Sequence, residues 1–136
     1  MALPNGAGGY QLGDGNLNEP VLGYAPAPAT ATATATLTVA QVTSGILLGS
    51  PGATAASYTL PTGALLDAAL SSAKVGSTFD LSVINVDGSS TGVITLVAGT
   101  GWTIVGLATV AATAGTAQMF TARKTGDATW TLYRVA

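Results

Sequence analysis

The sequence contains neither cysteine nor histidine. Without cysteine there can be no disulfide and no thiolate chemistry. Without histidine there is no Ser-His-Asp triad, and the two absences together remove the usual zinc ligand sets. Charge is almost as scarce: four Lys and Arg stand against six Asp and Glu, only 7% of the chain, where about 25% is ordinary. Recognition of a phosphate backbone needs clustered Lys and Arg. Only Arg123 and Lys124 are adjacent, so nucleic acid is not an expected partner. No apolar run reaches the roughly 18–20 residues of a membrane helix, so no membrane partner is expected either. The first residues have neither the basic nor the apolar region of a signal peptide. Lack of cysteine leaves the compartment open, because many secreted and many cytosolic proteins have none.

What remains is apolar and small. Hydrophobic residues make up 48% of the chain and mean hydropathy is +0.50. Thr, Ser and Gly must therefore supply most of the wetted surface. Such a surface is a poor solvating coat for a free monomer, which points to faces shared with partners. The 136 residues suit one domain with a real core, with room for an appendage.

Residues 1–29 form one compositional zone, an extended N-terminal arm that ends in the Pro-rich spacer YAPAPAT. Pro26 and Pro28 favour a polyproline-like conformation there. Residues 30–136 are expected to form the folded domain. ATATATLTV, residues 31–39, alternates strictly and predicts a strand with a thin Ala face. QVTSGILLG suggests a second strand, and SYTLP a short one ended by Pro61. TGALLDAALSSAKVG predicts the one short helix, with Thr62 as its cap and Gly76 after its end. From Thr78 onward the pattern is β, with Phe79, Leu81 and Val83 alternating against Asp80 and Ser82. Short strands with Gly-rich turns predict an all-β fold, a jelly-roll-like β-sandwich.

Motif matches fail on context. GSSTG at 88–92 fits G-x-S-x-G, but it links two strands and has no histidine base. Ser71–Lys74 and Lys124–Gly126 match fragments of penicillin-recognising signatures, without the accompanying S-D-N element. Asp14, Asn16 and Asn18 fill the first three positions of a calcium loop, yet Glu19 stands where Gly is required and Ala25 where a bidentate Glu belongs. Asx turns explain these residues more simply. Trp102, Trp130, Phe79, Phe120 and Tyr133 read as core and subunit contacts. No catalytic, cofactor or metal centre is expected.

ALPNGAGGYQLGDGNLNE, residues 2–19, resembles the N-terminal arm of decoration, or cement, proteins on tailed-bacteriophage heads. VGSTFDLSVINVDG, VITLVAGTGWTIVG and TARKTGDATWTLYRV resemble the strand-and-turn patterns of phage head-surface proteins. The resemblance implies a structural protein on the outer surface of the virion capsid. It would be a homotrimer bound to the major capsid protein that ties neighbouring shell subunits together. It implies capsid contacts at Tyr10, Gln11, Leu12, Asp14, Asn16 and Leu17. Two other classes compete: a head-fibre or tail-associated module that binds host-surface glycans through an exposed aromatic platform near Trp102 or Trp130, and a small hydrolase built on carboxylates alone.

Overall fold

The computed structural model describes residues 22–136, which are mostly β, in two sheets. The first three turns wind between those sheets. β1 (Ala29–Ala31) lies in the first sheet and β2 (Ala35–Thr36) in the second. A single-turn helix, α1 (Val39–Thr43), returns the chain to the first sheet as β3 (Ile46–Gly49), and β4 (Ala56–Thr59) follows in the second. Helix α2 (Gly63–Ala69) returns it again to β5 (Thr78–Asn85), then β6 (Ile94–Val97). Successive turns stack with parallel pairing. Leu47 stands between Ala29 and Val83, and Tyr58 between Ala35 and Leu96.

The remaining strands close the structure. β7 (Trp102–Val105) and β8 (Thr109–Val110) precede a long hairpin of β9 (Thr116–Gly126) and β10 (Thr129–Arg134). β9 runs antiparallel to β5 from Thr78↔Arg123 to Asn85↔Thr116, while β10 pairs parallel with β7. The resulting orders are β1-β3-β5-β9-β10-β7 and β2-β4-β6-β8. The pairing is therefore mixed, and five of the eight strand pairs are parallel. Jelly rolls are built of antiparallel Greek keys; here the strands from β1 to β9 alternate between sheets instead.

Both sheets feed one core. Leu47, Leu81, Val83, Phe120, Trp130 and Leu132 come from the first, and Tyr58, Ile94, Leu96 and Val110 from the second. Fully burying each large side chain is worth about 1.5–3 kcal/mol. Gly49 makes room for this packing: a Cβ there would collide with Ile94 Cδ1 and press on the Tyr58 ring.

Three local expectations are corrected. The Ala-Thr stretch is not one strand, because Thr32–Thr34 turn a corner between β1 and β2. The fully buried Tyr58 hydroxyl sets that corner by donating to Thr32 O at 2.7 Å and to Ala31 O at 3.2 Å. Residues 41–43, read as the start of a strand, are helical. A capping box explains this: Thr38 Oγ1 accepts from Gln41 N at 3.2 Å, and Gln41 Oε1 accepts from Thr38 N at 2.8 Å. The helix expected over 62–76 starts at its predicted cap, Thr62, but stops at Ala69. Beyond it the chain must reach the β5–β9 ladder, where Gly76 N donates to Lys124 O at 2.9 Å.

Candidate docking surface

The nominated capsid contacts Tyr10, Gln11, Leu12, Asp14, Asn16 and Leu17 lie outside the described residues. So do Asn18 and Glu19 of the calcium-like pattern. The structure does place the residues on which the competing readings depend. Trp102 is 7% exposed and Trp130 only 1%, so neither ring offers a platform to a sugar. Their rings stack at 6.1 Å, Phe79 tilts onto Trp130 at 5.6 Å, and Trp102 Nε1 donates to Pro61 O at 2.6 Å. The glycan reading loses its specific support at these two positions.

One carboxylate is heavily engaged. Helix α2 presents Asp67 to the β9–β10 hairpin. Its Oδ1 takes the Lys124 ammonium at 2.5 Å and the Trp130 indole N–H at 2.9 Å, while its Oδ2 accepts from Ala128 N at 2.7 Å. Ala128 sits in the tight turn of that hairpin with φ +52°. The Lys124 ammonium, then the Ala128 N–H, then the Trp130 indole hold the Asp67 carboxyl below its ordinary range. Lys124 is itself buried and lies 5.6 Å from the Trp130 ring centroid. A carboxylate with three donors, facing a paired ammonium, is not free to move protons. The cluster works as a strut between helix and hairpin. Sequence reading weighed Lys124 as a neighbour of Arg123 and as part of a K-T-G match, and missed its partner, which α2 brings in from far along the chain. Gly63 and Gly101 let the same turn approach closely, since a Cβ on either would collide with Ala128 O.

A second buried polar group was also missed. Asn85 is fully buried at the end of β5. Its amide nitrogen donates to Gly92 O at 2.9 Å and Ala111 O at 3.0 Å, and its Oδ1 accepts from Gly88 N at 2.7 Å. The GSSTG stretch is thus a loop fastened from below by Asn85. The available signal was an Asn at the inward phase of an alternating strand, just before an Asp-Gly turn.

Among the described residues two concavities stand out, one of about 430 Å3 beside the Thr32–Thr34 corner and a second one with a more apolar lining. The C-terminal ends of β2, β4 and β6 open into a groove of about 660 Å3. Leu37, Leu60 and Pro61 form its apolar floor and Leu65, 58% exposed, stands at its side. Thr36, Thr59 and Thr100 add hydroxyls, while Thr38 and Thr62 are occupied as helix caps. No charged side chain lines it. Residues 22–28 lead into β1 with every residue exposed and no strand pairing. Leu22 is 85% exposed and Tyr24 fully so.

Neither a scan of protein-family models nor searches of characterised proteins and of solved structures returned a match to this chain.

Proposed function

We propose that this chain is a structural decoration protein of a tailed-bacteriophage head. It binds the outer surface of the shell through its N-terminal arm and stabilises the lattice as a homotrimer. The major capsid protein is its partner. The observation that carries this reading is the sequence of residues 2–19, whose glycines, Asx-forming residues and sparse apolar anchors resemble the arms of such proteins. A segment that orders on binding can cover a wide surface with backbone hydrogen bonds and a few buried side chains. The β domain is consistent with the reading in two ways. The described residues before its first strand, 22–28, are all exposed and outside any strand, as a tether to a docked arm would be. Its charge is sparse, and the Asp67–Lys124 pair neutralises part of that internally. We read its two sheets, joined by one core, as a sandwich wound turn by turn that projects from the shell.

The test is removal of residues 2–19. The truncated protein should fold with an unchanged melting temperature and fail to bind undecorated shells. Tyr10→Ala or Leu12→Ala should weaken binding by about 1–3 kcal/mol if the side chain fills a pocket. Asp14 and Glu19 are the only charged residues of the arm, so added salt should weaken binding only mildly. Full decoration by the truncated protein would assign docking to the β domain and refute the role of the arm.

A further inference from the structure

We propose that the Asp87–Gly88 pair is a latent isoaspartate site that the fold keeps closed, and that the buried Asn85 amide is the group that closes it. The proposal goes beyond the decoration reading and does not depend on it. It starts from an exception among the described residues. Of the Asp residues there, Asp67, Asp80, Asp87 and Asp127, only Asp87 is followed by glycine. Glycine has no Cβ to shield its amide nitrogen, so an Asp-Gly pair is the most open to attack of that nitrogen on the carboxyl. Asp87 is exposed, in the loop just beyond β5, while Gly88 is buried.

The reaction needs only water as co-reactant. The Gly88 nitrogen bonds to Asp87 Cγ, and one carboxyl oxygen leaves as water, taking the carboxyl proton and the amide proton. The product is a five-membered succinimide, lighter than the chain by that one water. Water then adds to either of its carbonyls. Addition at Cγ breaks the new bond and restores aspartate. Addition at the main-chain carbonyl of Asp87 breaks the original peptide bond and leaves the chain running through the side chain. That isoaspartyl backbone is one carbon longer, so it displaces Ser89, whose N–H donates to Gly52 O at 3.0 Å.

Both reacting groups are tied down in the fold. Gly88 N donates to Asn85 Oδ1 at 2.7 Å in the interior, so its proton has no water to leave to. Asp87 Oδ1 accepts from Gly52 N at 3.1 Å, which holds the carboxyl on the neighbouring loop. The peptide also has no room to swing, since a Cβ on Gly88 would collide with the Asn85 side-chain amide. Val86 N donates to Gly49 O at 2.9 Å, so the residue before Asp87 is pinned as well. Attack requires these bonds to open first. The rate of isomerisation therefore reports how often this loop opens.

The test keeps the full chain in warm neutral buffer, folded and, in parallel, unfolded by urea. Isoaspartate at residue 87 is read by peptide mapping and enzymatic isoaspartyl methylation. Folded protein should accumulate it at least tenfold more slowly than unfolded protein; equal rates would overturn the proposal. Asn85→Ala, at a temperature where circular dichroism shows it folded, should isomerise at least tenfold faster than folded wild type. Leu132→Ala truncates a fully buried side chain but leaves Asn85 in place, and it should stay slow. Wild-type protection in folded Asn85→Ala, or equal acceleration in both variants, would overturn the role of Asn85. Amide exchange in the wild type gives a reading that does not depend on a variant folding. The Gly88 N–H should exchange at least tenfold more slowly than in an unstructured peptide, and exchange at the peptide's rate would overturn the proposal.

Discussion

Replacing Asn85 by Ala removes a side chain that is fully buried and makes three hydrogen bonds. Gly88 N–H loses its acceptor, and the carbonyls of Gly92 and Ala111 lose a donor. Each buried backbone group left without a partner costs about 1–3 kcal/mol, less where water can enter. The Gly88 and Gly92 bonds lie in the interior, while that to Ala111 is partly buried. We therefore expect a loss of about 3–5 kcal/mol, a large share of the roughly 5–15 kcal/mol that holds a typical domain together. Urea unfolding followed by tryptophan fluorescence suits the measurement, because Trp102 and Trp130 lie in the core. Asn85→Asp sharpens the test. Its carboxylate still accepts from Gly88 N–H but faces two carbonyl oxygens where the amide nitrogen was. Burial raises the pKa of such a carboxyl, and its neutral form can donate. That variant should therefore gain stability, relative to wild type, as pH falls from neutrality through that raised pKa. A loss under 1 kcal/mol for Asn85→Ala, or a pH-independent Asn85→Asp, would refute the claim that this amide fastens the loops.

Two further predictions concern titrating groups. Burial first, and the charge of Asp87 second, raise the Tyr58 hydroxyl above its usual 10.0. Its contribution is thus full below pH 10 and lost as pH climbs through the folded value; Tyr58→Phe should cost about 1–3 kcal/mol at neutral pH and flatten the alkaline limb of the stability curve. Asp67 has the opposite sign: its pKa is lowered from 3.8, so its contribution holds above that value and disappears as pH falls through the folded one. Asp67→Asn should be less stable than wild type at pH 7, with the difference shrinking in acid titrations followed by circular dichroism, and an unchanged difference down to pH 2 would contradict the pairing with Lys124.

The faces of the strands were legible in the sequence, but their partners were not. Alternation in TFDLSVIN places Leu81 and Val83 inward, as observed, because period two reports which side chains share a face. It says nothing about the neighbouring strand. β1 to β4 span only two to four residues each, too few to distinguish a parallel ladder from an antiparallel one. The corner inside ATATAT is invisible locally because Tyr58, distant in sequence, imposes it. The helix α1 did carry a local signal, T-x-x-Q at Thr38–Gln41, which the strand expected over QVTSGILLG left unused. Asp67 and Lys124 meet only after α2 docks on the hairpin, so no spacing rule could pair them.

The winding also predicts uneven protection of the backbone against solvent exchange. The first turn contributes β1 and β2, strands of three and two residues that, among the described residues, each pair with a strand on one side only. By contrast β5 is held between β3 and β9, and β9 between β5 and β10. Opening the first turn breaks few bonds and exposes mostly Ala and Thr, whereas opening β5 or β9 requires unpacking Leu81, Val83 and Phe120. Amide protons of residues 29–36 should therefore exchange through local opening, while those of β5 and β9 wait for global unfolding. Stability thus rises from the first turn to the β5–β9 pair, and the turn nearest the arm can open and re-form without loss of the rest.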